Sequence, residues 1–272
     1  MARLILACTA VASIACGSVR VAFPTGVGAP EPAAIAHWWA ATQACKNAGS
    51  YSAEVRLGGR VGTEKLRRST LQGAMTRRGD IYLAAIAPFG APIFILAGNT
   101  GRATLTLPHD QRFITAPTAD IVEALIGLRL TPADWLDLMT GCVTSAPAEQ
   151  GERLGKSVIV SLQHNAGRVR LDPDGAIWRV VAGERPDLLI EYGQFQGSWP
   201  AAARVASRPG ANPFVSLDMT FSQVSVNDPA LRAEAFVVNV PSDFLPMSLG
   251  ELRSIGPLGS EGAGLHPTEA AK

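Results

Sequence analysis

Apolar and polar residues alternate along much of this chain, most clearly near its end. Val215, Leu217, Met219 and Phe221 interleave with Ser216, Asp218, Thr220 and Ser222, so a strand over 214–226 has one apolar face and one polar face. The phase slips at Ser222-Gln223 before Val224 and Val226, which predicts a bulge or bend. The same texture marks strands at 52–60, 66–77, 80–87, 93–97 and 102–107. It returns at 157–163, 168–171, 176–182, 188–192 and 202–207, with a final strand at 236–240. Gly-Asp, Pro-Phe-Gly, Gly-Asn-Thr-Gly and Pro-His-Asp separate strands of the first group. Close spacing without intervening helices predicts antiparallel meanders.

Helical spacing interrupts this pattern. Residues 32–48 are Ala-rich, with Pro32 suited to a first turn and Gly49 to a stop. Ile35, Trp38, Trp39, Thr42 and Cys45 recur near helical period and predict one buried face. Thr118 is placed to cap a helix through Ile121, Leu125 and Ile126, ending at Gly127. Thr131, Pro132 and Asp134 start another, whose apolar face is Trp135, Leu136, Leu138 and Met139 and whose stop is Gly141. A short helical turn is expected within 246–253, and the Gly/Pro-rich stretch 256–272 reads as a disordered tail.

The first residues belong to a different class. Arg3 precedes an apolar run over 4–15 that is too short to span a bilayer, the form of an export signal. Ser13-Ile14-Ala15-Cys16 resembles a bacterial lipobox, although Ser13 stands where Leu or Val is preferred, so lipidation of Cys16 and plain cleavage nearby both remain open. The organisation is then an export signal over 1–16, a flexible tether over 17–30, one β-rich domain over 31–255, and the tail. The 272 residues are ample for one core. Export to an oxidising compartment allows Cys45 and Cys142 to pair; two separate small buried residues is the alternative. No CxxC spacing is present, and no metal or other cofactor is expected.

Charge narrows the partners. With 24 basic and 23 acidic side chains and no basic stripe along the sequence, nucleic acid is not expected. Gly151-Glu152-Arg153-Leu154-Gly155-Lys156-Ser157 imitates a phosphate-binding loop, but it is one residue short and is followed by β-branched residues rather than a helix. His37, His109, His164 and His266 occur singly, and no GxSxG elbow is present, so no catalytic residues are assigned. Asp172-Pro173-Asp174-Gly175 is a turn signal before it is a carboxylate pair. Arg67-Arg68 and Arg77-Arg78 read as solvated strand ends, or as a membrane-facing rim.

The order of these elements resembles the LolA/LolB lipoprotein-localisation family, most closely its outer-membrane receptor branch. The resemblance is strongest from His37 to Gly141. It rests on the Ala87-Pro88-Phe89-Gly90 turn, the helical block Ala119 to Gly127, Leu130-Thr131-Pro132, and Trp135-Leu136 followed by Gly141; Phe236 to Asp243 looks like a final LolA-type strand. No single motif is diagnostic, and the ordered set carries the likeness.

The resemblance implies an α+β, mainly β fold: an unclosed antiparallel β-barrel covered by short helices. It implies an apolar cavity for lipoprotein acyl chains, and a lipid-anchored, periplasm-facing place on the outer membrane, or a soluble periplasmic one. It also implies exchange with a periplasmic carrier protein, and no enzymatic activity. The membrane-contact loop would be Pro88, Phe89 and Gly90; the alternative is that Phe89 packs under its own turn. Candidate lining residues are Leu83, Ile86, Ile93, Ile95, Leu105, Leu107, Trp178, Val180, Leu217, Met219 and Phe221, which could equally fill an ordinary core. An envelope binding module for a glycolipid or protein, and an envelope hydrolase with dispersed catalytic residues, are the other readings.

Overall fold

The structure, a computed structural model, describes residues 23–87, 92–99, 101–256 and 258. Two meanders make up the sheet. The first runs β2 (Ser50–Val61), β3 (Glu64–Thr76), β4 (Ile81–Ile86), β5 (Pro92–Asn99), β6 (Arg102–Leu107) and β7 (Arg112–Pro117). The second runs β8 (Ala148–Leu154), β9 (Ser157–Leu162), β10 (Arg168–Asp174), β11 (Ile177–Glu184), β12 (Leu188–Gln196), β13 (Trp199–Ser207) and β14 (Val215–Val226). β14 pairs with β2 and fuses the two into one 15-stranded sheet, edged by the two-residue strands β1 (Ala29–Pro30) beside β8 and β15 (Leu245–Pro246) beside β7. All pairs are antiparallel except β15 with β7, and the edges do not meet, so the barrel is unclosed.

Four helices accompany the sheet among the described residues: α1 (Ala34–Lys46), α2 (Thr118–Ile126), α3 (Pro132–Thr140) and α4 (Leu249–Ile255). α1 packs on β8 to β11, α3 crosses β2, β3 and β13, α2 rests on β6 and β7, and α4 packs on α2. The core lies between these helices and the concave face of the sheet. Tyr51, Val55 and Leu57 of β2 and Val215, Leu217, Met219 and Phe221 of β14 point into it, while Arg56, Asp218 and Thr220 face outward. The predicted bulge in β14 is present: the ladder slips between Ser222 and Ser225, with Gln223 at φ 52.

Helix ends follow from local chemistry. The Thr131 hydroxyl accepts the Asp134 amide at 3.2 Å while Asp134 accepts the Thr131 amide at 3.0 Å, a capping box that satisfies two otherwise orphaned donors. α2 starts differently from the expectation. Pro117 holds the cap position, and Thr118 is the first helical residue, its hydroxyl buried without a partner among the described residues. In α1 the buried stripe is Ala34, Trp38, Thr42 and Cys45; Ile35 and Trp39 are exposed, because they fall outside the face turned to the sheet. Pro32 lies before that helix rather than in it.

Three segments depart from the alternation pattern. β7 and β8 were absent from it: β8 is a largely exposed near-edge strand with little apolar content, and β7 is short and runs into Pro117. The expected strand at 236–240 does not form. Instead a 3-10 turn over Ala233–Phe236 lies across β4 and β5, with Phe236 buried. The phosphate-loop imitation is the β8–β9 hairpin, turning at Gly155.

Candidate functional site

The concave interior is the candidate site. α2, α3 and Leu258 close it on the side opposite the sheet. Between them and the sheet remains a cavity of about 20 Å3 lined by apolar side chains, among them Leu57, Leu83, Phe94 and Met219 of the strands, Val122 of α2, Trp135 of α3, and Leu258. Ligand pockets usually hold ~300–1,000 Å3, so this interior is closed around roughly one water volume.

The proposed lining residues divide into three groups. Leu83 and Met219 border the cavity, and Leu105, Leu107, Leu217 and Phe221 are buried in the same core. Val180 is buried in that core too, and Trp178 stacks on His37 of α1 with ring centroids 4.4 Å apart, so it sits beneath a different helix. Ile86, Ile93 and Ile95 are only half-buried; on β5 the inward positions are Phe94 and Leu96, one residue out of phase with the expectation. The outer face that carries Ile95 is the one crossed by Ala233–Phe236, and an apolar run covered on both faces does not reveal its phase. Cys16, Pro88, Phe89 and Gly90 lie outside the described residues.

The two ends of the interior are held differently. At one end Cys45 of α1 and Cys142, just past α3, form a disulfide with Cα atoms 5.7 Å apart. Beside it Arg77 donates to the Cys45 carbonyl at 2.9 Å and to the Asp137 carboxylate. Arg77 is therefore a half-buried clamp rather than a solvated strand end. Burial raises the Asp137 carboxyl above the ordinary carboxylate range, against the opposing pull of Arg77. The other end of α3 is tied by Asp134 to Arg185 at 2.6 Å. Burial pushes the Asp134 carboxyl up, but the Thr131 hydroxyl and amide and Arg185 together hold it below its usual value.

α2 has no comparable fastening. Its acids Asp120 and Glu123 pair with exposed Arg129 on the following loop. It is held by packing: Gly127 at φ +74 fits against Val61 and Val215, and α4 lies on its flank. Here Leu258, 2 % exposed, reaches in from beyond α4, and its carbonyl accepts the Arg67 amide at 3.2 Å. We call this end the mouth. Sequence reasoning missed both Leu258 and the Arg77 clamp. A lone Leu in a Gly-rich tail carries no periodic signal.

The described histidines stand apart: His37 is under Trp178, His109 pairs on the surface with neighbouring Asp110 at 3.2 Å, and His164 is exposed in a turn. Among the described residues no group of His, Cys, Asp or Glu is arranged to hold a metal, and no helix is long and apolar enough to cross a membrane.

Solved structures with some similarity to this chain include the following. A LolA superfamily protein from Nitrosomonas europaea shares 9% identity, covering 78% of this chain and 99% of that one, with a TM-score of 0.46. A DUF1329 family protein from Desulfovibrio piger shares 11% over 77% and 98% of the two chains, with a TM-score of 0.44. The lipoprotein LppX of Mycobacterium tuberculosis shares 13% over 78% and 100%, with a TM-score of 0.30. These are likenesses of fold. No protein-family model matches the chain, and no curated protein matches it.

Proposed function

We propose that the chain is an envelope lipid carrier. It takes the acyl chains of lipoproteins into the concave interior and helps insert them in the outer membrane, with Cys16 as its own lipid anchor and no catalytic step. One observation carries this reading: the apolar interior is walled on one side by α2 and Leu258 rather than by hydrogen-bonded strands. Moving that wall breaks apolar packing and the Arg67–Leu258 hydrogen bond but no strand ladder, and an entering acyl chain replaces the lost apolar contacts at ~0.8 kcal/mol for each CH2 sheltered. Transfer then needs only a difference in affinity between donor and acceptor.

Lipid exchange tests it directly. Purified protein should carry acyl-bearing species in native mass spectra and should bind a fluorescent fatty-acyl probe. A clean apo-protein that also ignores the probe would end the carrier reading. Phe89→Glu should impair transfer to outer-membrane vesicles with little change in melting temperature. A large drop would mean that Phe89 packs in the fold instead. Mass spectrometry of the membrane fraction for diacylated Cys16 tests the anchor, and an unmodified N-terminus at or beyond Gly17 would remove it.

A further inference from the structure

The outer face of the sheet has a groove where β2 runs between β3 and β14. The β2–β3 ladder slips between Leu57 and Gly59, and Gly58 and Gly59 leave the strand without side chains there. Gly59, at φ +135, lies so close to β14 that a Cβ would stand 2.1 Å from the Ser216 carbonyl oxygen. The resulting depression holds about 620 Å3, is floored by Gly58, Gly59 and Ser216, and has Phe214 as an apolar shoulder.

Its charge is unbalanced. Arg56, Arg60, Arg68 and Arg204 line the groove with two acids, Glu191 and Asp218. Both acids are engaged by Arg204, at 3.9 and 2.6 Å. Arg56, Arg60 and Arg68 make no ion pair with any described acid. The stem of Arg68 lies over Gly58, its Cγ 3.6 Å from where a Cβ would be, an ordinary van der Waals distance. Uncompensated guanidinium groups around a depression suit phosphate oxygens, which they grip in pairs.

The groove also lies at the mouth. Arg60 pairs with Lys65 and with Ser216, next to the β2–β3 turn at Gly62. Val61, Lys65 and Leu66 continue from that turn to Leu258. Ile86 pairs with Thr70 and with Pro92, so the flanks of the 88–91 segment join the sheet at this same end.

We propose that the groove binds the phosphates of anionic lipid headgroups and sets the protein on an anionic bilayer with its mouth against the surface. This rests on the membrane-delivery part of the function proposed above, but not on acyl binding in the interior.

The test is co-sedimentation of the full chain carrying Cys16→Ser, so that an anchor does not mask the groove. Vesicles are either phosphatidylcholine alone or one part phosphatidylglycerol to two parts phosphatidylcholine. The protein should sediment with the anionic vesicles and not the neutral ones, and added salt should release it. Arg60→Glu with Arg68→Glu should weaken this binding about tenfold or more, with unchanged circular dichroism. Should that variant lose its fold, Arg56→Gln with Arg68→Gln gives the same comparison with a milder change. Equal binding to neutral vesicles, or a double variant that binds like the parent, overturns the proposal. Release of the protein by glycerol 3-phosphate at matched phosphate concentration would make the ligand a soluble phosphate compound and overturn the bilayer assignment. An acyl probe should bind the groove variants like the parent. If the parent fails to bind the probe yet sediments as expected, the carrier reading falls and the groove stands.

Discussion

The Leu258 carbonyl accepts a hydrogen bond from the Arg67 amide at 3.2 Å, tying the end of the described chain to β3 beside the mouth. The bond matters for what it positions: a leucine side chain held where an acyl chain would enter. On the carrier function proposed above, Leu258 would act as a plug, and apparent affinity for an acyl chain would be reduced by the fraction of time it stays in.

Leu258→Ser should therefore raise affinity for a fluorescent acyl probe several-fold. Truncation after Ile255 should do the same. Losing the buried side chain should cost roughly 1.5–3 kcal/mol of stability, visible as a lower melting temperature. Unchanged or weaker probe binding in both variants would show that Leu258 is core rather than plug.

The disulfide makes a second prediction. It closes a loop between residues 97 apart, which model estimates value at ~4.7 kcal/mol at most for a loop near that size. Cys45→Ala with Cys142→Ala should lower unfolding free energy by about 2–5 kcal/mol, measured by urea titration. A reducing agent should shift the parent protein by a similar amount and leave the variant where it was.

Gly127 and Gly155 make a matched pair. Both have positive φ, +74 and +62, but a Cβ on Gly127 would come 2.8 Å from Val215 Cγ2, whereas one on Gly155 meets nothing within 4 Å. Gly155→Ala should cost roughly 1–2 kcal/mol of backbone strain. Gly127→Ala should cost about 1–3 kcal/mol more for crowding. Thermal denaturation showing equal losses would contradict the close fit of α2 on β2 and β14.

Acid should weaken the cap of α4. The amide of Ser248, then Arg112 and the Ser248 hydroxyl, hold the Glu251 carboxyl down at about 2 against an ordinary 4.5. A carboxyl depressed on folding stabilises above its unfolded value and loses that contribution as pH falls through its folded one. The contribution of Glu251 should therefore fade between about 4.5 and about 2. Glu251→Gln should flatten the stability profile in that window, and an identical slope in parent and variant would rule the contribution out.

How much of this was legible before the fold was known differs by element. Val215 to Phe221 announced their strand because one face is wet and the other buried, and the α3 start was written in Thr131 and Asp134 because a capping box is local chemistry. Ile93 and Ile95 misled because β5 is covered on both faces and its apolar run has no visible phase. Filled core and lipid cavity need the same alternating residues, so the 20 Å3 interior was not readable. The groove was hidden for a different reason: Arg56, Arg60 and Arg204 come from strands far apart in sequence, and only the β14–β2 pairing gathers them.

That pairing also has a temporal meaning. Tyr51 sits opposite Val226, so the seam at the middle of the sheet cannot close until nearly the whole domain is present. Helical turns and neighbouring hairpins can form early, but the ladder joining the two meanders waits for the final long strand, as expected for a topology rich in distant contacts. A chain passed through a membrane pore in order would stay pliable for most of its passage and would set into shape only as its last strand emerged.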